Sequence, residues 1–210
     1  MVKEIQMNDH DIRVNIHKKI LMRHHKNNNT LVIDELGLKN GDCRADIAVV
    51  NGCLCGFEIK SDSDSLNRLR NQVDIYDAVF DYSTIIVGEK HFPKVMNYIS
   101  DWWGIQVCTK GSIGGVNFYF ERKAQKNLES DPYSIAQFLW KEEVVEILLN
   151  KGIGNKEIRR PKAELYQILC SILTKSDLNK MVRQFLKKRT NWRDRKRLFQ
   201  YDDLFRSSSM

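Results

Sequence analysis

The stretch Arg44-Ala45-Asp46-Ile47-Ala48-Val49-Val50-Asn51-Gly52-Cys53-Leu54-Cys55-Gly56-Phe57-Glu58-Ile59-Lys60 holds two carboxylates and an ammonium that could act together. Asp46 and Glu58 are hard oxygen donors suited to a divalent cation, and Lys60 could orient or activate a water beside a phosphate. That is chemistry for cutting a phosphodiester. A plainer alternative stays open: a surface salt bridge between Lys60 and Asp46 or Glu58, common on half-exposed sheets and contributing little.

The three groups cooperate only if two strands present them on one side. Alternation places Ala45, Ile47 and Val49 on one face and Arg44, Asp46 and Ala48 on the other; the next strand divides into Cys53, Cys55, Phe57, Ile59 and Leu54, Gly56, Glu58, Lys60. A two-residue loop at Asn51-Gly52 would set Asp46 against Phe57 and waste this pattern. A three-residue loop with a bulge shifts the pairing by one. It gathers Asp46, Glu58 and Lys60 on one face and leaves Ala45, Ile47, Val49, Cys53, Cys55, Phe57 and Ile59 on the buried one. The second register is the one predicted.

Around this hairpin the periodicity predicts an opening helix from Asn8 or Asp9 to about His24, with Ile12, Ile16, Ile20 and Leu21 at helical spacing. Strands follow at Leu31 to Leu36, Cys43 to Val50 and Cys53 to Ile59, then a helix within Ser65 to Asp81 and a strand at Thr84 to Val87. Pro93 to Trp103 reads as helix, and Ile105 to Cys108 and Val116 to Glu121 as strands extending the sheet. From Tyr133 the pattern is helical: Ala136 to Leu149, Lys162 to Leu173 and Asp177 to Lys188. The polar stretch Gln125 to Pro132 separates an α/β domain, 1–126, from an all-helical module, 133–205.

Asp46, eleven residues, then Glu58-Ile59-Lys60, in helix, three-strand meander, helix, strand order, resembles the PD-(D/E)XK nuclease superfamily and its restriction-endonuclease-like core. Gln72 and Tyr76 resemble the Gln-x-x-x-Tyr motif of its RecB-like branch. Ala45 stands where the family often has Pro. Asp11-Ile12-Arg13, Glu35-Leu36, Arg44-Ala45-Asp46, Phe57 to Asp62, Leu66 to Leu69 and Asp101 to Gly104 are similar to a small bacterial and phage family within it. The resemblance implies that Asp46 and Glu58 ligate Mg²⁺ or Mn²⁺, with the Ile59 carbonyl and Glu35 as further ligands, and that Lys60 serves the attacking water. Gln72 and Tyr76, four apart, would share a helix face turned to the site. Two readings stay open beside these: Glu35 as a strand-end surface acid, and Tyr76 as a core residue with its hydroxyl at the rim.

The chain has 210 residues, 42% hydrophobic and 29% charged, with 3 Pro and 11 Gly, which excludes a disordered or fibrous protein. No run approaches a membrane span, and Met1 to Val14 lacks a secretory stretch, so a cytoplasmic, membrane-free protein is expected. Five cysteines in apolar runs suit reduced thiols, and the Cys53/Cys55 spacing does not suit structural zinc. Net charge is +7, concentrated in residues 151–200, which hold 15 Lys and Arg against 4 acids. A polyanion is the expected partner, DNA before RNA, with Arg44, Arg68, Lys187, Lys188, Arg189 and Arg193 as candidate backbone contacts; an ordinary solvated helix surface is the alternative. A homodimer is left open. His24-His25 are expected in solvent, and Trp102-Trp103 in the core. Two function classes follow: a metal-dependent nuclease, or a catalytically idle module of that fold that binds nucleic acid or a protein.

Overall fold

A computed structural model describes residues 7–111 and 115–189. Six strands form one mixed sheet in sequence order: β1 (Leu31–Leu38), β2 (Cys43–Val50), β3 (Leu54–Lys60), β4 (Tyr82–Gly88), β5 (Gly104–Lys110) and β6 (Val116–Arg122). Strands β1 to β3 form an antiparallel meander; β4 lies parallel to β3, β5 parallel to β4, and β6 returns antiparallel. The parallel β3–β4 step needs a crossover, supplied by helix α3 (Leu69–Val79). The helix, three-strand, helix, strand order is therefore present within a larger sheet.

Both faces are covered. Helix α1 (Asp9–Asn15), the π-helical turn Ile16–Ile20 and the short α2 (Met22–His25) lie on one face, where Ile12, Ile16 and Leu21 pack on Val32, Ile47, Val49, Ile59 and Ile86. The single helix expected to His24 is thus broken in three. The other face carries α3 and the C-terminal helices over Ile33, Ala48, Val50, Leu54, Ile85 and Val107. These are α5 (Pro132–Ala136), α6 (Lys141–Asn150), α7 (Lys162–Ile172) and α8 (Lys175–Lys188). The span Ala136 to Leu149, expected as one helix, belongs to two, divided before Trp140 where Glu143 accepts the Trp140 N–H at 2.7 Å. The composition break near 125–132 is no break in the core, because Phe138, Leu139, Tyr166, Leu169, Leu178 and Leu186 share the cluster of Tyr76, Phe80 and Trp103. Asn127 also donates to the Asp77 and Phe80 carbonyls at 2.7 and 3.0 Å.

Pro93 to Trp103 holds only one helical turn, α4 (Phe92–Val95); the remainder folds back as turns so that Trp103 becomes fully buried, its indole N–H on Asp77 at 2.6 Å. All five cysteines are free. Among the described residues no helix is long and apolar enough to cross a membrane.

One glycine has a steric role near the hairpin. A Cβ at Gly56 would stand 2.6 Å from the Phe80 ring, which lies 4.9 Å from the Tyr76 ring. Both rings are fully buried. Gly56→Ala is expected to cost about 1–3 kcal/mol by overpacking, read as a lowered denaturation midpoint at unchanged m. An unaltered midpoint would show that the Phe80 ring yields freely.

Candidate active site

The β2–β3 register is the one the pattern predicts, with Val50 opposite Leu54, Val49 opposite Cys55 and Ile47 opposite Phe57. Asn51-Gly52-Cys53 forms the loop, closed by the Cys53 N–H on the Asn51 side chain at 2.9 Å. The face carrying Glu58 and Lys60 is not the open one, however. It lies under α3, and Glu58 is 1% exposed and Lys60 8%.

The β1–β2 ladder is interrupted at the level of Asp46. Asp34 pairs Ile47 and Leu36 pairs Ala45, but Glu35 between them has φ +59° and pairs with nothing in the ladder. Ile33 and Leu36 both face the larger core although they are three apart, as do Ala48 and Ala45, so both strands change phase here. Ala45 therefore leaves the face of Ile47 and Val49 on which alternation placed it. Backbone strain of this kind in a non-glycine residue collects at functional sites. Beyond the Ile47–Phe57 pair the Asp46 carboxylate itself takes the Ile59 N–H, at 2.7 Å.

Three of the predicted side chains meet on Glu58. Its Oε1 accepts from Lys60 Nζ and Gln72 Nε2, both at 2.6 Å, and its Oε2 accepts from the Tyr76 hydroxyl at 2.7 Å. The Tyr76 oxygen accepts in turn from the Asp46 N–H at 3.3 Å and lies 3.2 Å from the Phe57 carbonyl, so one phenol joins both acidic positions. The fully buried Tyr76 ring also packs on Phe80 and Trp103. The ring takes the core position, and its hydroxyl lies buried on Glu58 rather than at a rim.

Burial, and then the neighbouring Glu58 carboxylate, push the Asp46 carboxyl up to about 7, against the pull of Arg13 and the Ile59 amide. Burial and both carboxylates raise the Tyr76 phenol well above its ordinary range, so it remains a hydrogen-bond donor. A carboxyl whose ionisation is opposed by a neighbouring carboxylate, as Asp46 is by Glu58, is one that a cation would relieve. The buried Gln72 Oε1, beside Glu58, has no hydrogen-bond partner among the described residues. These features fit a hydrated Mg²⁺ or Mn²⁺, which uses one or two carboxylates and keeps several waters. They do not form an all-protein cage: among the described residues no three His, Cys, Asp or Glu side chains converge on a point that could hold an ion.

Several other expected roles change. The Glu35 carboxylate is taken by two guanidinium groups, Arg13 at 3.3 Å and Arg44 at 3.1 Å, rather than joining Asp46 and Glu58 as a third acid. Arg44 is exposed at the site's edge, and Arg68 is exposed immediately before α3. Arg189 is 8% exposed: it forks onto Glu143 at 2.6 and 2.8 Å, donates to the Phe138 carbonyl and lies 4.2 Å over the Trp140 ring. A phosphate contact there would require breaking a buried ion pair. Lys187 donates to the Asn29 and Asn51 carbonyls, at the hairpin end of β3, while Lys60 lies at the opposite end. Lys188 lies 5.1 Å over the Phe185 ring. Arg193 is outside the described residues.

A family model described as bacteriophage P4 protein cII matches residues 3–203. The chain belongs to that family. Protein cII of Enterobacteria phage P4 is 32% identical over 156 residues, which cover 74% of this chain and 56% of the relative. No solved structure matches the chain.

Sequence reasoning about this cII-family chain took Arg13 only as part of the Asp11-Ile12-Arg13 likeness, and missed the stripe Asp9, Arg13, His17 at four-residue spacing, which runs from α1 into the π-helical turn. Arg13 reaches Asp9 and Asp46 at 3.1 Å each. Burial opposes its charge, but Asp46, Asp9 and Asp34 outweigh that and hold the guanidinium above its ordinary range. The buried His17 bridges Asp34 at 2.8 Å and His25 at 2.9 Å, so His25 is tied inward rather than left to solvent. The available signal was three polar residues recurring with helical period beside Ile12 and Ile16.

Proposed function

We propose that this chain is a metal-dependent nuclease of the PD-(D/E)XK superfamily, RecB-like branch, with a restriction-endonuclease-like core, cleaving nucleic acid, DNA in the first instance, in the cytoplasm. The observation that carries the reading is the hydrogen-bonded convergence of Lys60, Gln72 and Tyr76 on Glu58, with Asp46 held next to it by the same phenol. A salt bridge alone would need neither the glutamine nor the tyrosine.

Asp46 and Glu58, with the Ile59 carbonyl, would hold Mg²⁺ or Mn²⁺, which supplies charge stabilisation to the phosphate oxygens. Lys60 donates hydrogen bonds from its ammonium and orients the attacking water. Tyr76 and Gln72 keep Glu58 fixed, and the Gln72 Oε1, without a partner among the described residues, would accept from a water at the site. Water attacks phosphorus, losing a proton to solvent as the new P–O bond forms, and the bond to the leaving sugar oxygen breaks, that oxygen taking up a proton from solvent. Arg44 and Arg68, both exposed, would meet the polynucleotide backbone.

The test is a panel of labelled linear, circular, single-stranded and branched substrates incubated with Mg²⁺ or Mn²⁺, wild type beside Asp46→Ala. Cleavage by the wild type only is expected. No cleavage of any polynucleotide, together with no thermal shift at millimolar metal, would replace the enzyme with an idle binding module.

The Asp46 carboxyl also predicts a pH dependence. Its folded-state value, about 7, lies above the ordinary 3.8, so the folded protein keeps a proton that the unfolded chain releases between these values. Its contribution to stability falls as pH rises through that window. Cation binding must expel the proton and so becomes more favourable towards pH 8. The rise in Tm on adding Mn²⁺ should be larger at pH 8 than at pH 6, and Asp46→Ala should remove the difference. Equal rises at both pH values would exclude Asp46 as a ligand.

A further inference from the structure

We infer that Arg13 is the positioning residue of the acidic site, a clamp that reaches round from the opposite face of the sheet and fixes both the backbone and the carboxylate of Asp46. The argument begins at the interrupted ladder. With Glu35 at φ +59°, no backbone pair forms between β1 and β2 at the level of Asp46. Arg13 Nη1 donates to the Asp46 carbonyl at this level, while Nη2 donates to Asp46 Oδ1 at 3.1 Å.

The clamp is itself anchored. Arg13 is 7% exposed, and its Nε and Nη2 hold Asp9 at 3.2 and 3.1 Å, one helical turn earlier, while Nη2 also lies 3.3 Å from Glu35. A guanidinium has five donors in a rigid plane, so gripping a carbonyl and a carboxylate of one residue fixes backbone and side chain together. An ammonium at the same place could hold only one of them well. With Oδ1 on Arg13 and Oδ2 on the Ile59 N–H, the Asp46 carboxylate is fixed in rotation, leaving its remaining lone pairs in a set direction. Groups that orient a metal ligand in this way commonly contribute 10- to 100-fold, as an order of magnitude, to metal affinity or activity. The catalytic consequence rests on the nuclease reading; the clamp does not.

The Ile59 amide reports on the clamp directly, because its N–H is bonded to Asp46 Oδ2. In ¹H–¹⁵N spectra of the full chain without metal or substrate, Arg13→Met is expected to move the Ile59 resonance to the position it takes in Asp46→Ala. Arg13→Lys should place it between that and the wild type. Where cleavage is measurable, kcat should fall roughly 10- to 100-fold in Arg13→Met with KM for the polynucleotide little changed, and recover in part in Arg13→Lys. If Arg13→Met does not fold, the lysine variant decides. An Ile59 resonance at its wild-type position in a folded Arg13 variant overturns the inference, even with a lowered Tm, since the residue would then be a stabiliser only. Wild-type protein that cleaves nothing, with the Ile59 shift as expected, would remove the nuclease reading and leave the clamp standing.

Discussion

Lys60→Ala is expected to abolish cleavage and, in the same protein, to lower the unfolding free energy by about 3–5 kcal/mol. The two effects have one cause. Glu58 is 1% exposed, and Lys60 Nζ at 2.6 Å is the cation bonded to it. Removing the ammonium leaves a buried carboxylate with only the neutral donors Gln72 and Tyr76. From the sequence alone the same substitution reads as harmless to the fold, because the charged face of the hairpin looks open to solvent. The helices above it reverse that expectation. Lys60→Met with Glu58→Gln removes both charges, and most of the lost stability should return while activity does not. A denaturant series on the single and double variants measures the coupling. A Lys60→Ala protein as stable as the wild type would mean that Glu58 does not depend on the ammonium, and would weaken its assignment as a ligand.

Arg189→Ala is expected to be similarly destabilising, by about 3–5 kcal/mol, and to leave the salt dependence of nucleic-acid binding unchanged. The arginine lies just after α8, and Glu143 lies in the first turn of α6, so their fork joins the end of one helix to the beginning of another. Glu143 also accepts the Trp140 N–H, so losing the arginine loosens the start of α6. Arg44→Ala, by contrast, alters an exposed side chain and should reduce the salt slope by about one phosphate contact with little effect on stability. If Arg189→Ala instead binds polynucleotide more weakly at unchanged stability, the residue faces the ligand and the ion pair is incidental.

That Gln72 and Tyr76 of α3 would face Glu58 was implied only by the family resemblance; alternation and turn chemistry were enough to give the β2–β3 register, since it depends on local period and a short loop. They could not give the phase change at Glu35 and Asp46, because a left-handed glutamate leaves no mark in composition. Nor could they show that both faces are covered, which depends on how far α5 to α8 fold back over α3. The basic C-terminal run read as a contact surface because charge was counted without partners; Lys187 and Arg189 point to loop carbonyls and to Glu143. The helix expected over Pro93 to Trp103 failed for a related reason: the Trp103 indole is drawn inward by Asp77, a residue 26 positions earlier.

The shared interior of the sheet and the C-terminal helices has a consequence for how such chains can be recombined. Because Phe138, Leu139, Tyr166 and Leu169 fill the same space as Tyr76, Phe80 and Trp103, grafting the C-terminal part of one relative onto another at the polar seam near residue 127 mixes two parts of one jigsaw. Chimeras should fold only when the α3 surface travels with the graft, so the residues that hold Glu58 are inherited together with the helices that roof them.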